Sequence, residues 1–344
     1  MRFGVLTGGG DCPGLNAAIR AFVRGSVSAG HEVVGVLHGW RGLAEGATQP
    51  LDRRTVAGIL PRGGTILGSS SYDPFREAGG LDAVARTTAE LGLDGVAVIG
   101  GEGTLGVAHR LYLEHGYPVV GVPKTIDNDL PGTDVTIGFD TAVQVCTEAI
   151  DRLHTTAESH NRVMVVEVMG RNTGWIAAAS GIAGGADVIL LPEAPMTIED
   201  VCERLARRHE EGKDFSIVVV AEGYPLTRRS GEQREPVVQD VDEYGYARLG
   251  GIGRVVADEL SALTGFETRV TVLGHVQRGG TPTARDRFLA TRLGLRAAEL
   301  ASAGRWGRMA AVRSNEIVDV SLEEATRERR AVPSAWIEAA GVVA

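Results

Sequence analysis

Short apolar, β-branched runs alternate with stretches of helical periodicity along most of the chain, and this alternation limits the possible folds more than any other feature. Strands are predicted at Phe3–Thr7, Val33–Leu37, Gly95–Ile99, Pro118–Val122, Val163–Val168, Asp187–Leu191, Ser216–Ala221 and Thr268–Leu273. Helices are predicted at Asn16–Ser28, Leu81–Leu91, Thr104–His115, Thr141–Thr156, Thr197–Glu211, Gly253–Leu263 and Ala284–Ala301. Runs such as Val96–Ile99 and Ile217–Val220 are apolar at successive positions, as in strands buried on both faces. With helices between them, such strands form parallel sheets of an α/β fold. The 344 residues suggest two domains, at roughly 150 residues each. Ligands in such folds bind beyond the carboxyl ends of the strands.

The chemistry-bearing segments fall at those ends. Gly8-Gly9-Gly10-Asp11-Cys12-Pro13-Gly14 follows the first strand and runs into a helix. Its amides and the helix N-terminus make an anion site, or else a tight turn and nothing more. It lacks the Gly-Lys-Ser/Thr of a Walker A loop. Gly100–Thr104 repeats the design with Glu102 inside it. A carboxylate there repels a bare phosphate but suits a magnesium ion lying between the two; the plainer reading is a solvated turn. Asp127 and Asp129 leave the strand before them in Lys124-Thr125-Ile126-Asp127-Asn128-Asp129. An aspartate there can take a proton from an acceptor hydroxyl, or can cap the loop as an Asx-turn. Lys124 is expected beside these acids as a point charge for phosphate. Arg162, Arg171, Arg269 and Arg278 stand near strand boundaries in the second half and suit a sugar phosphate.

Bulk properties remove other classes. The net charge of −9 argues against non-specific nucleic-acid or membrane-surface binding. The three cysteines, Cys12, Cys146 and Cys202, form neither a CxxC nor an even set, so no disulfide framework or zinc site is expected. The apolar segment before Gly8 is too short for a signal peptide, and a reducing cytoplasm is the expected location. The stretch Thr227–Glu243 reads as a surface loop or hairpin, and the Thr326–Arg330 charge run as a solvated helix face.

The runs Gly9–Asn16, Gly63-Gly64-Thr65, Gly100–Thr104, Lys124–Asp129, Glu167–Arg171 and Gly274–Gly280 resemble the 6-phosphofructokinase family in order and spacing, from Phe3 to about Ala301. The resemblance implies a glycolytic phosphotransferase that makes fructose 1,6-bisphosphate from fructose 6-phosphate, with ATP as donor and Mg²⁺. It implies two similar three-layer α/β domains with mainly parallel sheets and the active site in the cleft between them. Residues 1–138 and 277–327 would bind the phosphoryl donor, and residues 139–276 and 328–344 the sugar phosphate. Gly10, Tyr72, Gly103 and Thr104 would line the donor, and Glu102 would bind magnesium. Asp127 would be the base, assisted by Asp129, with Thr125 and Lys124 at the transferred group. Arg162, Met169, Gly170, Arg171, Glu222, Arg269, His275 and Arg278 would bind fructose 6-phosphate. Arg162 and Arg269 would come from a neighbouring subunit of a homodimer or homotetramer.

Two departures matter. Gly103 leaves room for the α-phosphate of ATP, whereas Lys124 is typical of members that use pyrophosphate; the steric permission at Gly103 favours ATP, with a reversible pyrophosphate enzyme as the alternative. Ser71 stands where the family usually carries an arginine that bridges donor and acceptor phosphates. Lys124 or Arg76 would then have to supply that charge, or the protein would bind sugar phosphates with weak catalysis.

Overall fold

The computed structural model describes residues 1–235, 238–241 and 247–343. In chain order the elements are β1 (Arg2–Thr7), α1 (Leu15–Ser28), β2 (Glu32–Val36), α2 (Gly39–Glu45), β3 (Thr48–Leu51), α3 (Gly80–Glu90), β4 (Gly95–Gly100), α4 (Glu102–His115) and β5 (Val119–Pro123). Then follow α5 (Phe139–His160), β6 (Val163–Val168), α6 (Trp175–Ala183), β7 (Val188–Leu190), α7 (Ile198–Glu210), β8 (Ser216–Ala221), β9 (Leu226–Thr227), β10 (Gln233–Arg234), β11 (Val238–Val241) and β12 (Ala247–Leu249). The last are α8 (Ile252–Thr264), β13 (Thr268–Val272), α9 (Ala284–Ser302), β14 (Arg308–Arg313), β15 (Glu316–Ser321), α10 (Leu322–Ala325) and α11 (Ser334–Val343).

The described chain divides into two compact units. The first holds Met1–Thr141 and Arg278–Arg329; the second holds residues 142–235, 238–241, 247–277 and 330–343. The first is built on a seven-stranded sheet in the order β15-β14-β5-β4-β1-β2-β3. Its five central strands are parallel, and the edge strands β3 and β15 pair antiparallel. Every residue of β4 and β5 is buried, as their unbroken apolar runs require. Leu6, Val36, Val98, Leu105, Met309 and Leu322 share one core beneath the sheet.

The second unit carries a four-stranded, wholly parallel sheet in the order β13-β6-β8-β7. β6 and β8 are buried throughout. Val165, Leu190, Val220, Val256 and Leu260 form its core. Glu167 is the one acid in β6 and is only 2% exposed. Its carboxylate accepts the N–H groups of Gly251 and Gly253 at 2.7–3.1 Å and so caps the N-terminus of α8. Charge at a helix N-terminus offsets part of the desolvation of that carboxylate.

The Thr227–Glu243 expectation holds where it can be examined: Thr227 pairs with Gln233 in an antiparallel hairpin, while residues 236–237 and 242–243 lie outside the described residues. The 326–330 expectation does not hold. α10 ends at Ala325, so this charge run is not a helix face, and its arginines have specific partners.

Candidate active site

In the first unit the strand order reverses at β1, with β2 on one side and β4 on the other. A crevice forms at such a switch point because the loops leaving the two strands turn to opposite faces of the sheet. The loop after β1 enters α1 through Gly14, which adopts φ 107° and caps without a side chain; the first turn of α1 has no acid. The positive end of α1 is thereby left to an anion. The loop is braced from two sides. Gly8 N–H donates to the Ile99 carbonyl at 3.1 Å, and Gly9 N–H to the Ser70 carbonyl at 3.0 Å. A side chain at position 8 would meet Thr104 Oγ1 at 2.6 Å, so glycine is required for β1 and α4 to approach. Asn16 ties the 62–66 segment to α1, donating to the carbonyls of Arg62 and Gly63 and accepting from Ile66 N–H at 2.8 Å.

Lys124 lies within electrostatic reach of Asp11 and Asp127, but its ammonium is turned under the glycine loop. It is 2% exposed, and its Nζ donates to the carbonyls of Gly8 at 3.0 Å and Gly10 at 2.5 Å. The ammonium underpins the glycine loop and adds positive potential from beneath. Burial pulls its pKa down from 10.5 to about 8. The ammonium is therefore lost as pH rises through about 8. If the loop binds phosphate, kcat/KM should fall roughly tenfold per unit above that pH. Lys124→Met should be slower and lack this alkaline decline; an unchanged decline would assign it to another group.

Glu102 opens α4, directly after Gly101, and its carboxylate is partly exposed. Gly103 follows in the same turn. Thr104 is buried, and its carbonyl accepts the Trp40 indole N–H at 3.2 Å. Tyr72 stands beside Ser71 in a small cavity of about 170 Å³ lined also by Arg41, Asp73, Arg76 and Glu77. The Arg41 guanidinium lies 5.9 Å from the Tyr72 ring centre, and Arg76 pairs with Asp73 at 3.5 Å. Arg278 belongs to this unit and donates to the Asp11 carbonyl at 3.3 Å, next to Gly10.

The two aspartates are separated by a residue in the left-handed region. Asn128 has φ 52°, and its Oδ1 accepts from Thr136 N–H at 3.0 Å. Thr136 Oγ1 donates to the Thr125 carbonyl at 2.6 Å, which closes the turn. Asparagine tolerates this conformation better than most residues. Asp127 N–H donates to Thr125 Oγ1 at 3.2 Å. Asp127 is half-buried, whereas Asp129 is 9% exposed. Burial, then the negative charges of Asp127 and Glu102, push the Asp129 carboxyl up to about 7. Cys12, inside the glycine loop, is a packing thiol. It donates to the Ile137 carbonyl, and burial pushes its pKa to about 12.

The second unit gathers its own set at the carboxyl ends of β6, β8 and β13. Gly170 N–H donates to Glu222 Oε1 at 3.4 Å, and Gly223 N–H to the Gly170 carbonyl at 3.1 Å. A Cβ at position 223 would lie 2.0 Å from the Arg171 carbonyl oxygen, so only glycine permits this contact. Gln277 is fully buried. Its Oε1 accepts Met169 N–H at 3.1 Å and the Cys146 thiol, and its Nε2 donates to the Gly274 carbonyl at 3.0 Å. It fastens the Met169–Arg171 loop to the exposed turn that carries His275. Arg162 and Arg269 are elsewhere. They flank the amino ends of β6 and β13, where both pair with Glu267. Six residues of strand, about 20 Å, separate the two ends.

Arg329, Gln277, Asn16 and Glu167 are contributions that sequence reasoning did not single out. The last three lie inside or beside glycine-containing runs, and a polar residue in such a run was the available signal.

A family model described as Phosphofructokinase matches residues 2–301. The chain belongs to the phosphofructokinase family. Among relatives of this phosphofructokinase-family chain, a Streptomyces coelicolor protein named pyrophosphate–fructose 6-phosphate 1-phosphotransferase is 54% identical over 345 residues, covering 99% of each chain. A Corynebacterium efficiens protein named ATP-dependent 6-phosphofructokinase is 50% identical over 342 residues, covering 98% of each. The crystal structure of Pichia pastoris phosphofructokinase in the T-state aligns with a TM-score of 0.82 at 33% identity; 99% of this chain matches 36% of that one. No helix among the described residues is long and apolar enough to cross a membrane.

Proposed function

We propose that this phosphofructokinase-family chain transfers a phosphoryl group to the 1-hydroxyl of fructose 6-phosphate, with ATP as the favoured donor. The observation that carries this reading is the meeting of three strand ends in the first unit: the glycine loop after β1, Glu102 after β4, and Asp127 and Asp129 after β5. An anion cradle, a metal-compatible acid and a candidate base are what phosphoryl transfer requires of a protein. In this reading Gly10, Tyr72, Gly103 and Thr104 hold the donor, and Thr125 orients the transferred group. Asp127 takes the acceptor proton, with the buried Asp129 beside it. Met169, Gly170, Arg171, Glu222, His275 and Arg278 recognise the sugar phosphate.

Glu102 suits magnesium on chemical grounds. Among the described residues no three His, Cys, Asp or Glu side chains are grouped to hold a metal by themselves. The Arg329 guanidinium paired with Glu102 supports a preference of this carboxylate for a cationic partner. Bound magnesium would neutralise charge on the donor phosphates. The protein's own part is to align the groups and to move the proton to Asp127.

The second reading is pyrophosphate as donor. It is favoured by Lys124 beneath the loop and by the 54% identical relatives named for that donor. Purified protein with fructose 6-phosphate and magnesium, offered ATP and pyrophosphate in parallel, decides between them. Gly103→Asp adds a second charge and bulk beside Glu102, so it should suppress ATP use more than pyrophosphate use. Equal losses would show that position 103 does not select the donor, and no turnover with either would reject the function.

A further inference from the structure

The 326–330 charge run acquires a role once the fold is known. α10 is anchored by the buried side chains of Leu322 and Ala325 and packs against α4. The chain leaving it passes the N-terminus of α4, where Arg329 donates to Glu102 Oε2 from both Nε and Nη2, each at 2.9 Å. The two residues are 227 positions apart in the chain. Immediately after it, Arg330 accepts the Trp175 indole N–H at 2.9 Å through its carbonyl and lays its guanidinium 4.3 Å from the Trp175 ring centre.

Two other nearby cations are committed elsewhere, while Arg278 lies at the glycine loop on the Asp11 carbonyl. Lys124 ends on the carbonyls of Gly8 and Gly10, and Arg76 pairs with Asp73. Ser71 offers no charge. Arg329 is 36% exposed and Glu102 40%, so their ion pair is loosely held and exchangeable. Nε and Nη2 both meet the single oxygen Oε2, and a guanidinium that donates two N–H groups to one carboxylate oxygen can equally donate them to phosphate oxygens.

We infer that Arg329 is a further phosphate-binding residue of the donor site, which pairs with Glu102 and changes partner to the transferred phosphoryl group when a divalent cation takes Glu102. This rests on the phosphotransfer reading above. It makes Arg329 a competitor of the metal before the donor binds and a charge-stabilising group afterwards.

Two readouts on the full chain test it. The first is Mn²⁺ affinity without substrates, followed by the electron paramagnetic resonance signal of free Mn²⁺. Arg329→Met should tighten it several-fold, because the competing cation is gone. The second is kcat with fructose 6-phosphate and the better donor. It should fall by about 10²-fold, as for loss of one preorganised donor to a transition state, and Arg329→Lys should recover part of it. A surface ion pair with no further role would move neither readout. An unchanged kcat, or an unchanged Mn²⁺ affinity, overturns the inference. If the wild type does not phosphorylate fructose 6-phosphate, the functional reading fails, while the Mn²⁺ titration still decides whether Arg329 and a metal compete for Glu102.

Discussion

Asp127→Asn is expected to lower kcat by about 10²–10⁴-fold, the usual cost of losing a general base, while fructose 6-phosphate still binds. The substitution is isosteric, and the turn that presents residue 127 is held by Thr125, Asn128 and Thr136, so the backbone should persist. An amide cannot accept the hydroxyl proton as a carboxylate does. Asp129 is a poor substitute, because it is buried where Asp127 is half-buried and so is less accessible to an acceptor hydroxyl. The loss should appear equally in kcat and kcat/KM, the signature of an interaction made only in the transition state. Steady-state rates together with calorimetric binding of fructose 6-phosphate make the check. Near wild-type turnover would remove Asp127 from the mechanism.

The largest stability effect is expected at Asp286, in the first turn of α9. It is fully buried, and its carboxylate accepts Gly138 N–H at 2.9 Å, Thr141 N–H at 2.9 Å and Thr141 Oγ1–H at 2.6 Å. These bonds fasten the start of α5 to α9. Burial pushes the Asp286 carboxyl up, so the three donors and the helix end are what keep an acid tolerable there. Asp286→Ala leaves three buried donors without this partner and should cost about 3–5 kcal/mol. Asp286→Asn, which keeps one carbonyl oxygen, should cost less. The urea midpoint of each variant tests this, and a loss below about 1 kcal/mol would show that water or backbone movement replaces the carboxylate.

The central strands were legible because both faces of β1, β4, β5, β6 and β8 are buried. That produces continuous apolar runs which no surface helix shares. Elements without such a signal were missed. α6 (Trp-Ile-Ala-Ala-Ala-Ser-Gly-Ile-Ala) is apolar on nearly every side and shows no helical stripe. β14 is capped by arginines, and β15 alternates as an edge strand does; neither resembles a buried run. α2 contains glycines that local propensity counts against a helix.

In the candidate site, the glycine loops, Glu102, Asp127 and Asp129 could be named from sequence because each lies in a short run right after a strand. Local order along the chain was enough. Where the long cations point was not local. Lys124 turns under the loop because its strand is buried and the carbonyls of Gly8 and Gly10 are the partners within reach. Arg162 and Arg269 meet at Glu267, at the amino ends of their strands, because β6 and β13 are neighbours in a sheet that brings distant segments side by side.

The sequence by itself determined the α/β class, the order of the strands along the chain and the family, since these depend on periodicity and on motifs contiguous in the chain. Only the tertiary structure decided which charges pair. Arg329 reaches Glu102 because α10 packs on α4, and Asp286 reaches Gly138 because α9 closes over the start of α5. Electrostatic and hydrogen-bond partners are set by distance in space, and for residues more than a hundred positions apart that distance exists only after the sheet and its helices have packed.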